Sequence, residues 1–291
     1  MFSPWSRPSL ASDAPIGIFD SGIGGLTVAH AMAQAMPGES LLYFGDTAHM
    51  PYGDRSPELV RTYSVRIAQY LREEGCKAIV IACNSASAAA TDAVREVAGE
   101  DIPVMDVVQP VVEYLAERGV SRVGVIGTRA TVGSGIYGRS LAEARARREG
   151  DAASLHPTVE WPTPLLAPLI EEGWHDHALM EPVIASYLTA AGWLGDGMGA
   201  IDALVLGCTH YPLADEVFRR VVGPHVELVD GPGIVAKAVS KALDSRGLRR
   251  SDSLPRHQFL VSDLTENFKR SAERFFGEEI PLQPGGPWFK G

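Results

Sequence analysis

Two short stretches carry residues suited to chemistry: VIACNSAS, around residue 80, and LVLGCTHYPL, around residue 204. Each is an apolar run ending in a cysteine, Cys83 or Cys208, followed by small hydroxyl or amide residues and then a predicted helix. In open α/β sheets, ligands bind at the carboxyl ends of strands, which is where both thiols fall. A helix start carries partial positive charge that favours thiolate over thiol, and its free N–H groups suit a carboxylate. Asn84 and Ser85 read as cap residues for the first helix; Thr209, with Pro212 early in the next turn, reads as the cap of the second.

Several reactions use cysteine. A disulfide oxidoreductase would want Cys-x-x-Cys, and neither corner has it. A cysteine hydrolase needs one thiol and gives no reason for a second. Cys208-x-His210 is a weak ligand pair, and the HDH run at 175–177 falls in a predicted loop, so no metal is expected. Two like acid/base groups, one from each half of the chain, suit removal of a proton from one face of a carbon and its return to the other. That is racemisation or epimerisation. Cys76, in EEGCKAIVI, reads as a buried small hydrophobe at a strand entry.

Two further clusters sit at strand ends. FDSGIGGL places Asp20 and Ser21 after the first strand, with glycines that let the backbone approach a ligand. YFGDTAHMPYGDRS places Asp46 after another, with Pro51, Tyr52 and Gly53 in the loop. GSGIYG at 133–138 matches a dinucleotide-binding spacing, but it starts five residues past its strand and lacks the later acid, so it is read as chance.

Short apolar strands alternate with helices along the chain, which predicts parallel sheets covered on both faces. The pattern restarts near residue 120. The fold expected is α/β, two similar doubly wound parallel-sheet domains. The first takes 15–108 plus 229–277 and the second 109–228, with a disordered tail at 1–14 and a C-terminal tail at 278–291. The chain is expected to cross near 107–121 and return near 225–232, with strands 226–230 and 257–263 extending or capping the first domain. With 291 residues, 45% of them hydrophobic, two cores of ordinary size can be filled. A formal net charge of −10 disfavours nucleic-acid contact. No apolar run approaches the ~20 residues that cross a bilayer, and no signal-peptide core is seen, so a cytoplasmic location is expected. Three cysteines make no disulfide framework.

Taken together, IGIFDSGIGGLTV, YFGDTAHMPYGDRS, VIACNSASA, TPLLAPLIEEGW and LVLGCTHYPL closely resemble the bacterial glutamate racemases over roughly residues 15 to 277. The resemblance implies a cofactor-independent enzyme that interconverts L- and D-glutamate, supplies D-glutamate for peptidoglycan synthesis, and works in the cleft between its two domains, with a homodimer as the usual assembly. Carried over by position, Cys83 would deprotonate D-glutamate with help from Asp20. Cys208 would deprotonate L-glutamate with help from His210, with Glu171 nearby. Asp20, Ser21, Pro51, Tyr52, Gly53, Asn84, Ser85 and Thr209 would hold the substrate, and Asp46 would give polar support. Ser85 stands where Thr is usual, His49 and Met50 replace a commoner Arg-containing pair, Thr163 stands where Cys or Ala often precedes the proline, and 192–202 looks slightly long. The rival readings are an aspartate or other racemase of the same superfamily, or a non-catalytic binding or inhibitory protein on this fold.

Overall fold

The computed structural model describes residues 12–149, 158–194, 200–250 and 254–289. Of the tail expected to be disordered, 1–14, residues 1–11 lie outside the described residues, as do 195–199 of the long stretch 192–202.

The chain runs β1 (Ile16–Asp20), α1 (Leu26–Ala35), β2 (Leu41–Gly45), α2 (Pro57–Glu73), β3 (Ala78–Ile81), α3 (Asn84–Ala98) and β4 (Val104–Asp106). It continues through α4 (Gln109–Glu117), β5 (Val123–Gly127), α5 (Arg129–Ser134), α6 (Ile136–Glu149), β6 (Val159–Pro162), α7 (Leu166–Glu171), α8 (Met180–Ala190) and β7 (Ala203–Gly207). It ends with α9 (Asp215–Val222), β8 (Glu227–Val229), α10 (Gly231–Ser245), β9 (Gln258–Val261), α11 (Glu266–Phe276) and β10 (Leu282–Pro284). The strands form two all-parallel sheets, in the orders β10-β9-β2-β1-β3-β4 and β6-β5-β7-β8.

The central strands β1, β2, β3 and β5 are buried along their whole length, as helices on both faces require. In each sheet the strand order reverses about one strand, β1 in the first and β5 in the second, and a crevice opens beyond its carboxyl end. Asp20, Asp46 and Cys83 end or follow β1, β2 and β3. Thr128, Thr163 and Cys208 follow β5, β6 and β7. The two crevices face one another, because Ser85 Oγ lies 2.9 Å from Thr128 Oγ1 and Thr27 Oγ1 donates to the Thr209 carbonyl at 3.0 Å.

Two expectations need correction. VELVD does not extend the first sheet. Its strand β8 pairs in parallel with β7, Leu228 opposite Leu204, and Glu227 accepts a hydrogen bond from Tyr114 of α4 at 2.6 Å. Only after Asp230, whose side chain caps α10 through Gly233 N, does the chain return to pack on α1. The stretch 278–291 is not a tail throughout: β10 adds an edge strand beside β9, and Trp288 docks on the loop after β2. Pro284 is tolerated there because an edge strand leaves one side unpaired. Among the described residues, no helix is long and apolar enough to cross a membrane.

Candidate active site

A cavity of about 110 Å³ lies between the two crevices. Ser21, Cys83, Asn84 and Ser85 line it from one sheet's side, and Cys208, Thr209, His210 and Glu171 from the other. Pro51, Tyr52 and Gly53 close a third wall. Both cysteines are almost shielded from solvent, at 5% exposure for Cys83 and 6% for Cys208. Asp20 is fully buried beneath this surface rather than lining it.

Cys83 itself occupies the N-cap of α3. Its Sγ accepts from Ala86 N at 3.5 Å, and Asn84 and Ser85 form the first turn rather than the cap. This frees the Asn84 and Ser85 side chains from capping. The Cys83 thiol donates to Ser21 Oγ at 3.7 Å. Burial, reinforced by the nearby charge of Asp20, pushes this thiol up to about 12, so the cap N–H and Ser21 do not make it the ready thiolate that a helix start alone suggests. Asp20 is likewise raised by burial, against the opposing pull of His210 and the N–H groups of Gly25, Gly22 and Ser21. Its Oδ2 accepts from Gly22 N at 3.1 Å, while its Oδ1 has no hydrogen-bond partner among the described residues.

The second corner is built differently. Thr209 does not cap a helix: a 3-10 turn, Tyr211–Ala214, starts at His210 and α9 begins only at Asp215. Cys208 Sγ lies 3.6 Å from His210 Nδ1, and His210 Nε2 lies 2.7 Å from Glu171 Oε1. Burial works against charging this imidazole, but the sulfur and the Glu171 carboxylate outweigh it and raise His210 to about 10. Glu171 ends α7, where the helix dipole disfavours a carboxylate, so the imidazolium beside it offsets that cost. Phe275 of α11 packs edge-on against the His210 ring, 5.1 Å between centroids, and Arg274 donates to the Glu171 carbonyl at 3.1 Å.

The two corners thus differ in charge. One holds a buried thiol beside a carboxyl with raised proton affinity; the other holds a sulfur facing a stable cation. The two sulfurs thus stand on opposite walls of one cavity in different electrostatic surroundings.

Asp46 is not free to act on a ligand. Its Oδ1 accepts from Ser262 Oγ, Trp288 Nε1 and His49 Nδ1, each at 2.8 Å, and its Oδ2 accepts from Tyr52 OH at 2.6 Å. Sequence reasoning passed over Tyr137, whose hydroxyl donates to Asn84 Oδ1 at 2.7 Å and so turns the Asn84 NH₂ away from it. Tyr137 sits inside GSGIYG, where the glycine spacing drew attention from the aromatic between them. Thr128, which also lines the cavity, was missed too; its position at the end of a strand was the available signal.

A family profile described as Asp/Glu/hydantoin racemase matches residues 25–239. A glutamate racemase of Chlorobaculum parvum is 42% identical over 95% of this chain and 97% of its own. The chain belongs to the Asp/Glu/hydantoin racemase family. It is therefore an isomerase. A glutamate racemase of Thermus thermophilus is 41% identical over 92% of this chain and 94% of its own. Among solved structures, a glutamate racemase of Francisella tularensis in complex with D-glutamate superimposes with a TM-score of 0.85 at 32% identity, covering 95% of this chain and 98% of that one. A Bacillus anthracis glutamate racemase gives 0.84 at 31% identity, with 94% and 98% covered. The two-sheet architecture is that of these racemases.

Proposed function

We propose that the chain interconverts L- and D-glutamate by a two-thiol mechanism, without a cofactor, and so supplies D-glutamate for peptidoglycan synthesis. The observation that carries this reading is the single cavity with one strand-end sulfur on each side, Cys83 from the first sheet and Cys208 from the second. Glutamate as substrate is supported by the relatives' names and by the D-glutamate complex of a relative 32% identical to this chain.

In the proposed reaction, L-glutamate enters with its α-hydrogen toward Cys208. The His210 imidazolium supplies the charge that a thiolate at Cys208 needs, and Glu171 holds that imidazolium in place. The thiolate takes the α-proton, and the electron pair spreads into the α-carboxylate. Backbone N–H groups at the start of α3, with the Ser85 and Thr209 hydroxyls and the Asn84 NH₂, stabilise the developing charge by fixed hydrogen bonds. Cys83, protonated at rest, delivers its proton to the opposite face and gives D-glutamate. The reverse reaction starts with Cys83 as thiolate. Asp20 takes the thiol proton as that direction begins, which its raised proton affinity suits. Pro51, Tyr52, Gly53 and Ser21 complete the substrate's enclosure.

The direct test is circular dichroism of the protein, dialysed against EDTA, with L-glutamate, D-glutamate and both aspartate enantiomers. Each glutamate enantiomer should decay to zero ellipticity with no pyridoxal absorbance present, and aspartate should not. Activity that needs added pyridoxal phosphate or metal, or that acts on aspartate alone, overturns the reading.

The rate should also report His210. Its proton is held to about 10, so turnover of L-glutamate should fall on an alkaline limb near that value as the cation is lost. The same shift links to stability. A folded proton affinity above the unfolded histidine value of 6.5 stabilises the fold fully below 6.5, and this contribution is lost as pH rises toward about 10. In His210→Asn both the alkaline limb of the rate and this sloping part of the stability profile should disappear. A limb that survives the substitution assigns it to another group.

A further inference from the structure

The last residues described here do more than end the fold. After β10, Gly285 N donates to the Val261 carbonyl at 3.0 Å, and Gly286 takes a left-handed conformation, φ +99°, against the face of Phe44. A side chain at Gly286 would collide with the Phe44 ring, so the turn presses tightly onto β2. That turn swings Trp288 over the loop that follows β2. Its indole N–H donates to Asp46 Oδ1 at 2.8 Å. Its ring lies 4.7 Å from the His49 ring and 5.7 Å from Tyr63. Arg66 stacks its guanidinium 4.4 Å from the indole centroid and donates to the Pro287 carbonyl at 3.0 Å.

The other side of the same carboxylate holds Tyr52. Asp46 Oδ2 accepts the Tyr52 hydroxyl at 2.6 Å, and Tyr52 with Pro51 and Gly53 forms a wall of the cavity. Asp46 is wholly buried and has its oxygens filled by four donors, of which only Trp288 comes from the C-terminal segment. A buried carboxylate that loses a donor must recover it from water or move. Movement of Asp46 moves Tyr52.

We propose that Trp288 is a positioning residue for substrate binding: through Asp46 it fixes the 50–53 loop against the substrate, so the C-terminal strap of this chain is part of its active site. The strap sets affinity for the bound ligand and leaves the proton transfers to the two thiol corners. This rests on the racemase reading for its kinetic test and on the structure alone for its second readout.

The experiment uses the full chain carrying Trp288→Ala and Trp288→Phe. Trp288→Ala should raise KM for both enantiomers by about tenfold, the loss of one hydrogen bond to a charged group, with kcat changed far less. The fall in kcat/KM must be equal in the two directions, because the equilibrium between enantiomers is fixed at one. Trp288→Phe keeps the ring under Arg66 but loses the N–H, and should fall between the two. Combining Trp288→Phe with Tyr52→Phe should cost less than the sum of the single changes, because both act on one carboxylate. Hydrogen exchange gives the readout that does not depend on activity: the amides of residues 48–55 should exchange faster in Trp288→Ala, while those of Ala86 and Ser87, at the start of α3, should not. A purely structural strap would lower the melting temperature and leave KM and loop exchange as they are, and that result overturns the proposal. If the unaltered protein racemises nothing, the functional reading fails, and loop exchange alone then decides whether the strap holds the loop.

Discussion

Cys83→Ala and Cys208→Ala should each cut racemisation in both directions, by up to about 10⁴-fold, because one face of the α-carbon loses its acid or base. Neither should unfold the protein. Each sulfur lines a cavity, so alanine removes one atom next to existing space instead of opening a void in a packed core. Cys83 also accepts a hydrogen bond as the cap of α3, and losing that cap costs about 1 kcal/mol. What remains should be one-sided. With Cys83 replaced, Cys208 and its His210–Glu171 chain still face an L-substrate, so elimination of a leaving group from an L-analogue should persist. With Cys208 replaced, the same should hold for the D-series. Elimination measured separately on L- and D-analogues decides the matter. Loss of the same enantiomer in both variants, or appreciable racemisation by either, contradicts the two-thiol mechanism.

Gly24→Ala should lower the rate by about 10²-fold, although Gly24 is assigned no chemical role. A Cβ at this position would lie 2.5 Å from both Cε1 and Nδ1 of His210 and from Oγ1 of Thr209. Real carbon contacts do not come so close, and neither neighbour can retreat easily. His210 is pinned by Glu171 on one side and by Phe275 on its ring edge. The new methyl must therefore push the imidazole away from Cys208 Sγ or spread the two halves apart. A shift of about 1 Å in a catalytic group costs about 10²-fold in rate. The loss should appear in kcat for both enantiomers, with a melting temperature lowered by overpacking. Unchanged kcat would show that the halves yield at Gly24 without disturbing the Cys208–His210 contact.

The sulfurs were legible because a buried parallel strand reads as an unbroken apolar run, and the residue that ends it stands at the ligand edge. KAIVIAC and IDALVLGC both have that form. The details around them were less legible. Asn84 and Ser85 have the composition of caps, yet the sulfur before them fills that place, since a cap is chosen by backbone position and not by residue type alone. Thr209 fails to cap because the chain first makes a 3-10 turn through Pro212. β8 has three residues, too few for a pattern to reveal which sheet it joins; its pairing with β7 comes from tertiary contact. β10 was hidden by Pro281 and Pro284, which read as loop punctuation in the absence of knowledge that they sit on a sheet edge. Tyr137 and Trp288 act across 53 and 242 residues of sequence separation, and no local pattern signals a partner at that distance.

Hydrogen bonds cross between the halves beside the cavity: Tyr137 to Asn84, Ser85 to Thr128 and Thr131, and Thr27 to the Thr209 carbonyl. The cavity is lined from both halves, so these bonds act as a clasp across it. Opening it costs about 1 kcal/mol per bond, returned when the next molecule is enclosed. The two enantiomers differ in one inverted carbon and must pass the same clasp, so it slows both exits alike and cannot favour either product. Where exchange of ligand requires the clasp to open, turnover includes that opening as well as proton transfer. A looser clasp would release product sooner but would admit water to the carbanion of the proposed reaction.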